Sequence, residues 1–155
     1  MFRIAVGVVV GVLAAGSVQA QQATPPAQQA AAAPATRVFA SDAGLVLNFI
    51  KADKTADFEA VMAKLKEALQ KSTKPERKQQ AASWKVFKSP DPAAGGNVLY
   101  VFLIDPAVKD ADYTVSNILA EVYKPEELNT IYKQYAESYA QGQNIINLNL
   151  TLDFK

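Results

Sequence analysis

VLYVFLI, residues 98–104, is the stretch that decides the fold. Seven consecutive apolar side chains, β-branched and aromatic types among them, make a run too short for an ordinary helix. Such a run reads as a strand buried on both faces. Asp105-Pro106 ends it, and DPAAGGN at residues 91–97 supplies the turn chemistry of a hairpin ahead of it. SWKVFK, residues 83–88, is then the partner strand, its lysines suiting a sheet edge.

Working outward from that hairpin, GLVLNFIK at residues 44–51 is a second strand apolar on both faces, and Asp53-Lys54-Thr55 supplies a turn and helix start. Phe58, Val61, Met62, Leu65 and Leu69 follow at i, i+3, i+4, i+7 and i+11, one apolar stripe of a helix. Thr73 and Glu76 around Pro75 predict a capping box and a short extra turn. Beyond the hairpin, a short helix is expected over residues 114–123. A longer one opens at Pro125, with Leu128, Ile131, Tyr132, Tyr135 and Tyr139 as its stripe and Gly142 as its stop. Residues 146–154 alternate cleanly, Ile146, Leu148, Leu150, Leu152 and Phe154 against Asn147, Asn149, Thr151 and Asp153, and predict a last strand. The order β-α-β-β-α-β predicts an α+β, ferredoxin-like fold. Both main helices lie on one face of a four-stranded antiparallel sheet, and the first and third strands are central.

One face of such a sheet should be polar, and here neither is. If Leu45, Leu47 and Phe49 face the helices, then Val46, Asn48 and Ile50 face outward, and the reverse choice is no more polar. Three or four large side chains left wet would forgo roughly 1.5–3 kcal/mol each, and an apolar patch of that kind marks an interface. Pairing of two copies sheet to sheet is therefore expected. In its element order, its doubly apolar central strands and the SWKVFK and NVLYVFLIDP stretches, the chain over residues 43–154 resembles the dimeric α+β-barrel group of ferredoxin-like proteins. Within that group it is similar to small secreted bacterial proteins of uncharacterised role. The resemblance implies a fold and a homodimer, and carries no catalytic residue with it.

Residues 1–20 have the parts of a cleavable signal peptide: Arg3, an apolar run from Ile4 to Ala15, and Val18-Gln19-Ala20 with small side chains at −3 and −1. Export to the periplasm or the medium is expected, with no membrane insertion after cleavage. Residues 21–36, QQATPPAQQAAAAPAT, carry no charge and no large apolar side chain and read as a disordered tether. Residues 37–155 form the one domain. With no cysteine in the chain, that domain has no disulfide to replace core.

Removing residues 1–20 removes Arg3 and brings the formal charge from +1 to zero, which speaks against a nucleic-acid binder. No histidine and no cysteine are present, which removes the commonest bases, nucleophiles and transition-metal ligands. Gly95-Gly96 belongs to a turn, since no phosphate-loop motif surrounds it. Asp105, Asp110 and Asp112 match no calcium loop, and Lys109 sits among them. No cofactor and no metal are expected.

Two candidate surfaces remain. If Leu148, Leu150 and Leu152 pack on the helices, then Asn147, Asn149 and Thr151, joined by Asn48, point into the interior of a paired barrel. Trp84 and Tyr100 would line that interior, giving a largely apolar ligand pocket with a few amides. Residues 64–88 hold eight basic against two acidic side chains, so Lys74, Arg77 and Lys78 are a candidate partner-binding basic face, against an acidic stretch at residues 105–127. The reading is an exported, dimeric, non-enzymatic domain for a small apolar ligand or an envelope protein. A cofactor-independent oxygenase or isomerase in the barrel interior, and a purely structural self-associating protein, stand as alternatives.

Overall fold

A computed structural model describes residues 36–154. The expected signal peptide and all of the expected tether except Thr36 lie outside the described residues.

The strands are β1 (Ala43–Ile50), β2 (Trp84–Pro92), β3 (Val98–Ile104) and β4 (Asn144–Leu148). The helices are α1 (Thr55–Lys71), α2 (Pro75–Ser83), α3 (Val115–Ala120) and α4 (Pro125–Ser138). The four strands form one sheet in the order β2-β3-β1-β4, every neighbouring pair antiparallel. This is an α+β architecture, and the two strands apolar on both faces, save for Asn48 in β1, are the central ones. The β2–β3 hairpin turns through Gly95 and Gly96, both at left-handed φ (71° and 74°), where a side chain would be strained.

Both central strands alternate between buried and half-buried positions, which fixes their facing. Val46, Asn48 and Ile50 of β1 and Tyr100, Phe102 and Ile104 of β3 are buried. They join Phe58, Val61, Leu65 and Leu69 of α1, Ile118 of α3 and Ile131 of α4 in one core. Phe58 is its hub, its ring centroid 4.7 Å from Tyr100, 6.2 Å from Phe102 and 6.1 Å from Tyr135. Leu45, Leu47 and Phe49 therefore point away from the helices, the second of the two facings that the sequence left open. The reason is Asn48: every polar atom of its side chain finds a partner beneath the helices, so burial leaves none unpaired.

Three other expectations are corrected. The last strand pairs only over Asn144–Leu148: Leu148 lies opposite Ala43, the first residue of β1, and the residues ahead of Ala43 leave the sheet, with Phe39 packed into the core. The stretch around Pro75 is a nine-residue helix with Lys74 at its N-cap and no side-chain cap bond, so Thr73 and Glu76 form no capping box. Tyr132 is 55% exposed rather than part of the α4 stripe, and α4 ends at Ser138, ahead of Gly142.

The chain entering β1 is held by a close approach. A Cβ on Gly44 would lie 2.2 Å from Cδ1 and Cε1 of Phe39, and Phe39 is 3% exposed, packed edge-on against Tyr113 with centroids 5.1 Å apart. Gly44→Ala is expected to displace the Phe39 ring and lower stability by about 1–3 kcal/mol, the usual cost of overpacking a filled site. Urea unfolding followed by circular dichroism checks it; an unchanged midpoint would mean that the ring moves aside freely.

Candidate functional site

The side of the sheet away from the helices is apolar across all four strands. Register places Leu45, Leu47 and Phe49 of β1 opposite Leu103, Val101 and Leu99 of β3. It sets Phe87 of β2 opposite Val101, and Ile146 and Leu148 of β4 opposite Leu45 and Ala43. None of these side chains belongs to the buried core or packs against it; Phe87 is 51% and Ile146 39% exposed. Lys85, opposite Leu103, and Asn144, opposite Leu47, are the polar residues at its two edges. A contiguous apolar surface with polar margins has the make-up of an interface core and rim.

On the other side of the sheet a polar cluster fills the end of the core. Tyr135 and Tyr139 lie four residues apart at the end of α4, their rings edge to face at 5.0 Å. The Tyr139 hydroxyl donates to Asn48 Oδ1 (2.9 Å) and lies 2.7 Å from the Tyr135 hydroxyl. Gln143 Nε2 donates into the same group, 2.7 Å from the Tyr139 hydroxyl. Asn48 Nδ2 donates to the carbonyls of Val46 (3.0 Å) and Tyr100 (3.1 Å). The Arg37 guanidinium donates to Gln143 Oε1. A cleft of about 400 Å³ opens over this cluster, walled by Arg37, Thr114, Ser116, Tyr132 and Gly142 among others. Burial raises the pKa of both Tyr135 and Tyr139, so both phenols stay protonated at neutral pH. In that state they donate and accept hydrogen bonds within the cluster.

The six residues expected to line a ligand pocket do not converge. Asn48 and Tyr100 lie under the helices, and the Tyr100 hydroxyl donates to Glu59 (2.5 Å), which Lys88 also reaches. Trp84 faces the same way, 5.5 Å from both Phe102 and Tyr113, with its indole nitrogen buried and unpartnered among the described residues. Asn147 lies opposite Gly44 on the helix-facing side and accepts from the backbone of Ala40. Asn149 and Thr151 are exposed beyond β4. The sheet face away from the helices thus carries leucine, valine and phenylalanine, with Asn144 at its edge, in place of the expected amides.

The expected basic face is also rearranged. Arg77 is 3% exposed. Its guanidinium donates to both carboxylate oxygens of Glu121 (2.8 and 3.3 Å), to Gln80 Oε1 (2.6 Å) and to the Asp112 carbonyl (2.6 Å). Lys74 reaches the same Glu121 (2.8 Å), and Lys78 is exposed. Arg77 is a packing element that ties α2 to the segment around α3, and no partner can reach it. Sequence reading counted its charge and missed that α2 turns Arg77, Gln80 and Ser83 inward at three-residue spacing. Among the described residues no group of three or more acidic side chains converges as a metal site.

Glu121 is held below the ordinary carboxylate range, chiefly by its bonds from Arg77. Asp112 is also lowered: burial raises it, but donation from Thr114, Asn117 and the backbone of Arg37 outweighs that. A carboxylate depressed in the folded state adds stability that is complete above its unfolded pKa and is lost as pH falls through its folded value. Unfolding midpoints are therefore expected to hold from pH 7 to about 5 and fall steadily below that. Glu121→Gln should flatten the fall, and an equally steep fall in that variant would assign the loss to other groups.

Compared with family models, curated proteins and solved structures, the chain finds no match in any of the three.

Proposed function

We propose that the chain is an exported, non-enzymatic binding domain that works as a homodimer. Its ferredoxin-like sheet pairs with that of a second copy to form a dimeric α+β barrel. The observation that carries the reading is the uncovered apolar face, made by residues of all four strands. Burying it needs a flat apolar surface of matching shape, and a second copy related by a two-fold axis supplies one. Lys85 and Asn144 at the margins leave the centre free of charge, which is where desolvation would be most costly.

The enclosed space between two such faces is walled by Leu45, Leu47, Phe49, Leu99, Val101 and Leu103. It suits a small apolar molecule, held by shape and burial with no amide to orient it. The protonated tyrosine cluster lies on the far side of the sheet and takes no part in it. Native mass spectrometry of protein purified after export tests the reading, since it reports stoichiometry and retained ligand together. A dimer mass, with or without a small noncovalent adduct, is expected. A monomer mass over the working concentration range would remove the barrel and its interior together.

A further inference from the structure

We propose that the cleft over Tyr135 and Tyr139 is a binding site for a small aromatic carboxylate, whose anionic group pairs with Arg37. The site lies on the helix side of the sheet, opposite the uncovered face, and stands whether or not two copies pair.

The described residues include two arginines, and their surroundings differ. Arg77 is buried together with its carboxylate, Glu121. Arg37 is half-buried, and among the described residues no carboxylate pairs with it. Asp112 holds the Arg37 backbone, but its oxygens accept from the backbone N–H groups of Arg37 and Thr114 and from the Asn117 amide, not from the guanidinium. The guanidinium donates to Gln143 Oε1. That bond uses one of its terminal nitrogens and leaves the rest of the five-donor fork without an acceptor among the described residues.

The cation is also held in place. The Arg37 carbonyl accepts from the Tyr113 N–H (2.7 Å), which fixes the chain on its other side. Gln143 Nε2 donates to Asn48 Oδ1 (2.5 Å) and to the Tyr139 hydroxyl (2.7 Å), which turns Gln143 Oε1 toward Arg37. The positive charge of Arg37 acts on both Tyr135 and Tyr139, lowering their pKa against the larger effect of burial. A donor fixed before the ligand arrives loses little freedom on binding.

The cleft, about 400 Å³, is of small-molecule size. Among the described residues lining it, Arg37 carries the one charge, and Tyr132, Tyr135, Val115 and Ala136 supply aromatic and apolar wall. The Tyr132 side chain is 55% exposed there. A cation without a counter-charge, sharing a cleft with an open aromatic surface, suits a molecule that carries a carboxylate at one end and a ring at the other.

Titration calorimetry of the purified protein with phenylacetate, phenylacetamide and acetate tests the assignment. Phenylacetate is expected to bind at one site per chain with a dissociation constant of about 1 mM or tighter. Phenylacetamide, which has the ring and no charge, should bind about 10–100-fold more weakly, and acetate, which has the charge and no ring, about 10-fold more weakly. Arg37→Gln should lower phenylacetate affinity about 10–100-fold, and Tyr132→Ala, at an exposed position, about 5-fold. Val101→Glu, on the far side of the sheet, should bind as the parent does. Equal binding of phenylacetate and its amide would remove the role given to Arg37. Acetate binding as tightly as phenylacetate would remove the aromatic wall. Loss of binding in Val101→Glu but not in Arg37→Gln would place the ligand on the uncovered face and overturn the assignment, as would no heat from phenylacetate.

Discussion

Val101→Glu is expected to turn the protein into a folded monomer, with the dimer dissociation constant raised by at least about 1,000-fold. Val101 lies near the middle of the uncovered face, between Leu47 on β1 and Phe87 on β2. Pairing about a two-fold axis would bury two such carboxylates per dimer, each without a cation nearby. The penalty for an unpaired buried charge is several kcal/mol, which exceeds anything the surrounding leucines recover. The side chain lies outside the core in the single chain, so the monomer should retain its circular dichroism and lose less than about 1 kcal/mol of stability. Lys85→Glu, at the rim, is the control: its charge stays wet, and its effect should be within a few-fold. Size-exclusion chromatography with light scattering reads both. If Val101→Glu left a dimer of unchanged affinity, the interface would lie elsewhere.

Arg77→Met carries the second large effect, on stability alone. The substitution keeps most of the volume and removes the guanidinium. Glu121, Gln80 Oε1 and the Asp112 carbonyl then lose their shared donor. Breaking a buried pair by deleting one partner costs about 3–5 kcal/mol, a large part of the 5–15 kcal/mol typical of a domain. Lys74→Met removes a cation from the same Glu121, yet its side chain is 53% exposed against 4% for Arg77. An exposed pair is worth about 0–1 kcal/mol, so this variant should unfold near the parent. Burial rather than charge decides the difference. Equal losses in the two variants by urea unfolding would show that the Arg77 cluster is a solvated ion pair and not a packed element.

Much of the secondary structure was legible in the sequence because its signals are local. The bounds of β3 were readable to the residue from an unbroken apolar run ended by Asp-Pro. The stripe of α1 was readable from its spacing, with Phe58, Val61, Leu65 and Leu69 all buried. The central placement of β1 and β3 followed from their lack of a polar face. What the sequence hid depends on partners distant along the chain. A strand apolar on both sides carries no sign of which side is covered. Asn48, the one polar residue among those of β1, pointed the wrong way because polar groups usually face water. Its burial depends on Tyr139 and Gln143, each more than ninety residues away. β4 stopped short of its alternating pattern because a strand needs a neighbour as well as a period. Arg77 looked like surface charge for the same reason: its carboxylate is 44 residues distant, on the segment after α3.

The candidate site follows the same division. The apolar excess that points to pairing was visible in composition and pattern. The six pocket residues chosen from the assumed facing were dispersed once the facing reversed, and the tyrosine–glutamine cluster beside Arg37 went unseen. Its only local trace is the i, i+4 spacing of Tyr135 and Tyr139, which also fits an ordinary core stripe.

Sedimentation equilibrium of the purified protein tests the central claim most directly, because it measures association without immobilisation or label. The account predicts a dimer at about 10 µM, with a dissociation constant in the micromolar range or tighter. A single species at the monomer mass up to about 100 µM would contradict it, and would leave the apolar sheet face to be covered by something other than a second copy.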